Sequence, residues 1–329
     1  MTKDHRKWLA NFCGNDVKFN EPMSEHTSLR VGGPADAYVT PESIEQLSDV
    51  IRGCIERDIR YIIIGDGTNL LVKDNGIQAV VIVLTKYLNN IHLSYTKKDK
   101  TVIQAMAGVR MKKLCAFAIR HGLEGMNIAL GIPGTVGGGV MMNAGTAVGS
   151  MENVIDAVTL LLPTGKIIRV DKKKLKFDYR RLDLTEAVGS SLMHEANSSL
   201  KFESAACCEH QPVILESYVS LYPSDPVKLK KEAKEILKAR IKKQPTDFPS
   251  AGCFFKNPLY EKTAGELIDR SGLKGKRVGN AQVSAKHANF IINLGKASAV
   301  DILSLAEEIQ ETVLKKFNIL LEPEVKIVA

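Results

Sequence analysis

Tyr61-Ile62-Ile63-Ile64-Gly65-Asp66-Gly67-Thr68-Asn69-Leu70-Leu71 sets an apolar run against a glycine turn. The run reads as a short buried strand, and Gly-Asp-Gly ends it. Glycine lacks the side chain that keeps a backbone N–H away from a phosphate, so Gly65, Asp66, Gly67, Thr68 and Asn69 form a candidate cofactor loop. The stretch begins like a dinucleotide-binding fingerprint and then departs from it. Leu70 stands where a third glycine belongs, and the next apolar run, 79–84, ends in Thr85-Lys86 with no acidic residue for a ribose. The Rossmann reading fails on these criteria. Alone, the motif fits a tight hairpin-like turn as well as a ligand loop.

A second glycine cluster follows, Gly131-Ile-Pro133-Gly134-Thr135-Val-Gly137-Gly138-Gly-Val-Met-Met-Asn-Ala-Gly145, in which six of fifteen residues are glycine. That density exceeds what a turn requires. The stretch 134–138 can present N–H donors to a diphosphate, and the absence of a Gly-Lys-Ser/Thr ending argues against a P-loop. Two glycine loops suggest the two sides of one dinucleotide.

Around these loops helical and extended patterns alternate. Apolar spacing predicts helices at 43–58 and 111–121 and strands at 79–84, 101–107, 154–162, 167–170 and 213–222. Residues 182–210 show weak periodicity and read as an insertion. Asp225-Pro226 opens a Lys-rich helix to residue 241, and a strand at 287–294 precedes a helix at 299–317 with Ile302, Leu305, Ala306, Ile309 and Val313 on one stripe. The expected fold class is α+β, mixed α/β. The natural break lies near 222–226.

Composition narrows the function. The chain has 329 residues, 44% hydrophobic and 25% charged, which excludes a disordered or fibrous protein. No apolar run reaches the ~18 residues of a membrane helix, and the charged start does not resemble a signal peptide, so a cytoplasmic location is expected. The net charge of +8 sits largely in Lys runs on helix faces. With aromatics at 6% and no basic-aromatic motif, it suits an anionic small molecule better than nucleic acid. The six cysteines show neither CxxC nor zinc spacing and read as reduced, mostly buried thiols. No metal site is expected, and a monomer is compatible with everything above.

Three further stretches could carry chemistry. In Pro249-Ser-Ala-Gly-Cys253-Phe-Phe-Lys256-Asn257-Pro258 a thiol follows glycine and precedes Lys and Asn. With a reference pKa of ~8.5 a thiol is mostly protonated near neutrality and can act as an acid. Phe177-Asp-Tyr179-Arg180 and Leu321-Glu-Pro-Glu324-Val325 read alone as surface polar residues.

Together these stretches resemble one family, the UDP-N-acetylenolpyruvoylglucosamine reductases (MurB) of bacterial cell-wall synthesis. The match includes His26-Thr-Ser-Leu-Arg-Val-Gly-Gly-Pro-Ala-Asp36, both glycine loops, Tyr179-Arg180, 249–258, Gly279-Asn-Ala-Gln-Val-Ser-Ala-Lys-His-Ala-Asn-Phe290 and 321–325. The short step from Pro258 to Ala264 is similar to the type II subgroup. The resemblance implies an FAD-binding domain of the vanillyl-alcohol oxidase type, in two subdomains (1–90 and 91–224), and a C-terminal substrate domain (225–329). It also implies non-covalent FAD held by both glycine loops, NADPH as reductant, and UDP-N-acetylglucosamine enolpyruvate reduced to UDP-N-acetylmuramate.

By motif, Arg180 and Glu324 match the family's catalytic Arg and Glu. Cys253 takes the place of its proton donor, usually Ser, and a thiol is the stronger acid of the two. Tyr179, Lys256 and Asn257 fall at substrate-contacting positions. Three departures stand out. Leu182 replaces a Ser two residues after Arg180, Thr68 replaces Ser, and Asp66 replaces the loop's middle glycine. A carboxylate beside a diphosphate is electrostatically awkward unless it turns away. A flavin oxidase with a covalent link and a nucleotide-binding protein without turnover are the competing readings.

Overall fold

The computed structural model of the chain describes residues 1–188, 211–259 and 261–329. Most of the expected insertion at 182–210 lies outside these residues, as do Cys207 and Cys208. The chain forms two compact units, one of Met1–Phe19, Ala37–Asp66 and Ala79–Leu237, the other of Asn20–Asp36, Gly67–Gln78 and Lys238–Ala329. The units alternate along the chain, and the last division falls within the helix Pro226–Lys243.

The first unit is built on an antiparallel sheet in the order Ile167–Asp171, Ile155–Leu161, Val213–Pro223, Lys100–Met106, Ile91–Lys97, with Leu123–Glu124 also paired to Val213–Pro223. Four of these strands lie where the sequence pattern puts them. Ile91–Lys97 was not expected; Ile91, Leu93 and Tyr95 do alternate with polar residues, but as an edge strand it buries none of them fully. Helix Met111–Arg120 buries Met111, Leu114, Cys115 and Ala118, and helix Ile44–Glu56 buries Leu47, Val50, Ile51 and Cys54. Ser43 starts the latter, its hydroxyl accepting from the Gln46 N–H at 3.1 Å.

Tyr61–Ile64 pairs in parallel with Ile77–Val83, Tyr61 opposite Val80 and Ile64 opposite Val83. Parallel neighbours cannot be joined by a tight hairpin, so the hairpin-like alternative for 65–69 is overturned. Leu70–Val72 pairs instead with the C-terminal strand Lys326–Val328 in the second unit.

The second unit holds a three-stranded sheet, Arg277–Val278, Ala281–Val283 and Ile291–Asn293, with helices Ala264–Arg270 and Ala299–Phe317. The expected apolar stripe of the last helix is buried at all five positions. Ser298 and Asp301 close a capping box at its start, and Asn318 ends it in the left-handed conformation. The strand expected at 287–294 is shorter. His287 O accepts from the Phe290 N–H at 3.0 Å and Ser284 Oγ takes the Lys286 N–H at 3.1 Å, so 284–290 turns before the strand begins. Among the described residues, no helix is long and apolar enough to cross a membrane.

Candidate active site

In the first unit the two glycine stretches abut. A Cβ on Gly65 would lie 2.3 Å from Thr135 Oγ1, and one on Gly137 would lie 2.7 Å from the Ala107 Cβ, so both positions need glycine for backbone approach. Gly134, with φ of +106°, accepts from the Met111 N–H at 2.8 Å. Thr135 caps the short helix Val136–Met141 through the Gly138 N–H at 3.3 Å. The N–H groups of Val136 and Gly137 donate to Val109 O and Ala107 O at 2.7 and 2.9 Å. The row of donors expected at 134–138 is thus partly spent on the fold itself. What this stretch offers a ligand is a low wall: Gly138 is exposed, a Cβ there would meet only Thr135 Oγ1 at 3.4 Å, and Gly131 and Pro133 are exposed beside it.

Asp66 does turn aside. Its carboxylate accepts from Arg110 Nε at 3.1 and 3.3 Å, which neutralises the charge that a diphosphate would otherwise meet. A glycine-rich wall with its one acid compensated fits a flavin dinucleotide's diphosphate.

Tyr179 and Arg180 are the two turn residues of a hairpin between Lys176–Asp178 and Arg181–Asp183, in which Asp178 opposes Arg181 and Phe177 opposes Leu182. Arg180 has φ of +58°, a conformation that favours glycine or asparagine. Its guanidinium lies 5.1 Å from the Tyr179 ring centroid. Leu182 is 4% exposed, so the residue replacing the family's Ser is a core anchor of this hairpin.

In the second unit Gly67, with φ of +59°, packs so tightly that a Cβ would lie 2.1 Å from His26 O. Thr68 follows half-buried, and Asn69 Nδ2 donates to Glu324 O at 3.1 Å while Asn69 O accepts from the Lys326 N–H at 3.0 Å. Glu324 N–H donates to Phe254 O at 2.8 Å and Lys256 N–H to Glu322 O at 2.8 Å, so the 253–257 and 322–324 stretches run side by side. Cys253 bridges to Phe290 on its other flank. Cys253, Glu324, Lys256, Asn257 and Asn69 are therefore gathered in one region, although 324 and 69 lie far apart in sequence.

Two of the expected substrate contacts also have structural duties. Lys256 Nζ pairs with Glu322 at 3.0 Å, and Asn257 Oδ1 accepts the Ala264 N–H at 3.1 Å at the start of a helix. The Lys256–Glu322 pair is largely exposed, hence worth about 0–1 kcal/mol, and an anionic ligand can displace it.

Sequence reading gave no role to Arg110, Asn143, Arg240 or Asn289. Asn289 is 3% exposed; its Oδ1 accepts from Phe255 N–H at 2.9 Å, its Nδ2 donates to Phe255 O at 2.8 Å, and its carbonyl takes the Phe254 N–H at 2.7 Å. Its place in Lys-His-Ala-Asn-Phe was the only signal. Arg240 is half-buried, which pushes its pKa down, opposed by the nearby Cys253 sulfur, whose anionic form favours charged arginine. Burial raises the thiols of Cys13, Cys54 and Cys115 to about 11, 12 and 12, so these are inert, and Cys253 alone of the four described cysteines is not buried.

Residues 244–328 match the family described as UDP-N-acetylenolpyruvoylglucosamine reductase, C-terminal domain, and residues 35–171 match an FAD binding domain. A UDP-N-acetylenolpyruvoylglucosamine reductase of Desulfosudis oleivorans is 42% identical, covering 100% of this chain and 99% of its own. One of Clostridium tetani is 40% identical, covering 97% and 94%. Among solved structures, the reductase (MurB) of Thermus caldophilus superposes with a TM-score of 0.73 at 32% identity, over 95% of this chain and 98% of that one.

Proposed function

The chain belongs to the UDP-N-acetylenolpyruvoylglucosamine reductase family of FAD-dependent oxidoreductases, and from that premise we propose that it reduces UDP-N-acetylglucosamine enolpyruvate to UDP-N-acetylmuramate for peptidoglycan synthesis, with NADPH as reductant. FAD, when bound, would supply hydride-transfer chemistry at this site. On this reading 65–69 and 131–138 hold the flavin's diphosphate, and Lys256, Asn257 and Tyr179 contact the nucleotide sugar.

Hydride addition to the enolpyruvyl double bond leaves negative charge delocalised toward the substrate carboxylate. Arg180 supplies fixed positive charge there, which lowers the barrier because the charge grows in the transition state. A bare Glu324 carboxylate would oppose that charge, so Glu324 acts protonated or together with Arg180. Cys253 gives its S–H proton to the carbanion carbon and regains one from solvent. The observation that carries the reading is the pairing of 253–257 with 322–324, which puts the proposed proton donor and acid in one half-buried region.

An anaerobic visible spectrum tests it. The flavin band should bleach with NADPH and return on adding UDP-N-acetylglucosamine enolpyruvate. Cys253→Ala should still bleach and fail to recover, whereas Cys253→Ser should keep much of the recovery. A band that only oxygen restores would replace the reductase reading with a flavin oxidase. Full recovery in Cys253→Ala would remove the thiol from the mechanism.

A further inference from the structure

Asn143 sits two residues beyond the short helix Val136–Met141, is 6% exposed, and has φ of +40°. Its side chain makes two bonds that point in different directions. Oδ1 accepts from the Glu152 N–H at 3.0 Å, and Nδ2 donates to the Asp178 carbonyl at 3.1 Å. Asp178 is the last strand residue before the Tyr179-Arg180 turn.

That turn needs help to stay in one place. A three-residue, two-stranded hairpin is marginal by itself. Arg180 adds a left-handed backbone that costs an L residue about 1–2 kcal/mol. The hairpin's inner end is anchored by buried Leu182 and half-buried Phe177, but Asp178, Tyr179 and Arg181 are exposed. At this outer end Asp178 Oδ1 accepts the Tyr179 N–H at 2.6 Å, which shapes the turn without tying it to anything else. The Asn143 bond ties it to the glycine-rich segment, whose other end packs Thr135 against Gly65.

We propose that Asn143 is the positioning residue for Arg180, its amide clamping the hairpin tip to the far end of the segment that meets the first glycine loop. The proposal rests on the reading that Arg180 acts on the substrate. One short element then sets the arginine relative to the flavin-loop side of the same unit. Arg180 itself is fixed through Asp178 rather than by a bond from Asn143. A buried asparagine suits the task because it tolerates φ above zero and offers a donor and an acceptor together.

The test is a double-mutant cycle on the FAD-loaded enzyme, reading the two half-reactions separately. Asn143→Asp keeps the shape, the left-handed tolerance and the acceptor for Glu152, while it replaces the donor to Asp178 with a carboxylate oxygen that repels the Asp178 carbonyl. It should leave reduction by NADPH within twofold of wild type and slow reoxidation by the enolpyruvyl substrate about 30-fold, the order expected for a reacting group displaced by under 1 Å. In an Arg180→Ala background the same substitution should change reoxidation by less than about twofold, because the residue through which it acts is gone. Amide exchange at 178–183 should quicken about tenfold while 136–141 stays protected, since only the hairpin's tie is cut. Asn143→Gly, which also keeps the backbone conformation, repeats the test if the aspartate variant folds poorly.

Equal slowing with and without Arg180, or equal slowing of both half-reactions, would make Asn143 a general structural residue and overturn the proposal. Undisturbed amide exchange at 178–183 would overturn it too. If Arg180→Ala alone left reoxidation at wild-type speed, the assignment of Arg180 would fall first and take the proposal with it.

Discussion

Replacing Asn289 by alanine should unfold the second unit at markedly lower temperature and disable the substrate half-reaction in whatever remains folded. The side chain serves both polar groups of the Phe255 backbone, at 2.9 and 2.8 Å, and Phe255 is 1% exposed. Alanine leaves a buried N–H and a buried C=O without partners. Each such group costs about 1–3 kcal/mol, so the pair costs about 2–6, with ~4 as the central value. Against a typical stability of about 5–15 kcal/mol that is a large share. At about 2–4 °C per kcal/mol, the midpoint should fall by ~10 °C. Asn289→Asp should fare no better at neutral pH, since it keeps the acceptor but loses the donor and buries a charge. The assay is calorimetric unfolding at fixed excess FAD, because ligand concentration alone shifts the midpoint. A loss below about 0.5 kcal/mol would show that the Phe255 groups find other partners, and would refute the claim that Asn289 holds the 253–257 stretch in place.

Arg110→Gln should loosen FAD about tenfold, since it strips Asp66 of its counter-charge in the loop proposed to hold the diphosphate, and adding Asp66→Asn should restore most of the affinity. Flavin release measured by fluorescence reads this, and a double variant no tighter than Arg110→Gln would contradict it. His287 is half-buried with its pKa held below the usual 6.5, chiefly by burial. The unfolded chain then binds its proton first, so this contribution is complete above about pH 6.5 and shrinks as pH falls below it. His287→Gln should flatten that part of the stability profile, and an unchanged slope between pH 7 and 5 would exclude the residue as a source. Among the four described cysteines, native alkylation followed by peptide mapping should label Cys253 first and Cys54 and Cys115 last, with thiols raised to about 12. Early labelling of Cys54 would show that its pocket opens in solution.

Much of this was legible because it depends on neighbours in the chain. Helix Ala299–Phe317 needs only its buried stripe, a Ser–Asp capping box and an asparagine that accepts the left-handed C-cap. The start of Pro226–Lys243 was equally local, with Asp225 accepting the Val227 and Lys228 N–H groups at 3.0 and 3.3 Å and proline in the first turn. Other features were not settled by apolar pattern alone. Ile91–Lys97 is a strand because Lys100–Met106 offers it an edge. The 284–290 turn exists because a serine hydroxyl competes with strand pairing in an otherwise β-like run.

By itself the sequence determined the mixed fold class, the two glycine stretches, the chemical types at 180, 253 and 324, and through its ordered motifs the family. These rest on residue identity and spacing, which the chain carries wherever it is folded. Tertiary structure decided which distant residues meet. Asp66 is tolerable in the first glycine loop because Arg110, over forty residues on, bonds its carboxylate. Leu70–Val72 finds its partner at Lys326–Val328, which sets Asn69 beside Glu324. Leu182 is an anchor because the hairpin's inner face is covered, and Asn143 and Asn289 matter because two backbone stretches run within 3 Å of their amides. A hydrogen bond works only at contact distance, and for residues so far apart in the chain that distance exists only once the fold has closed.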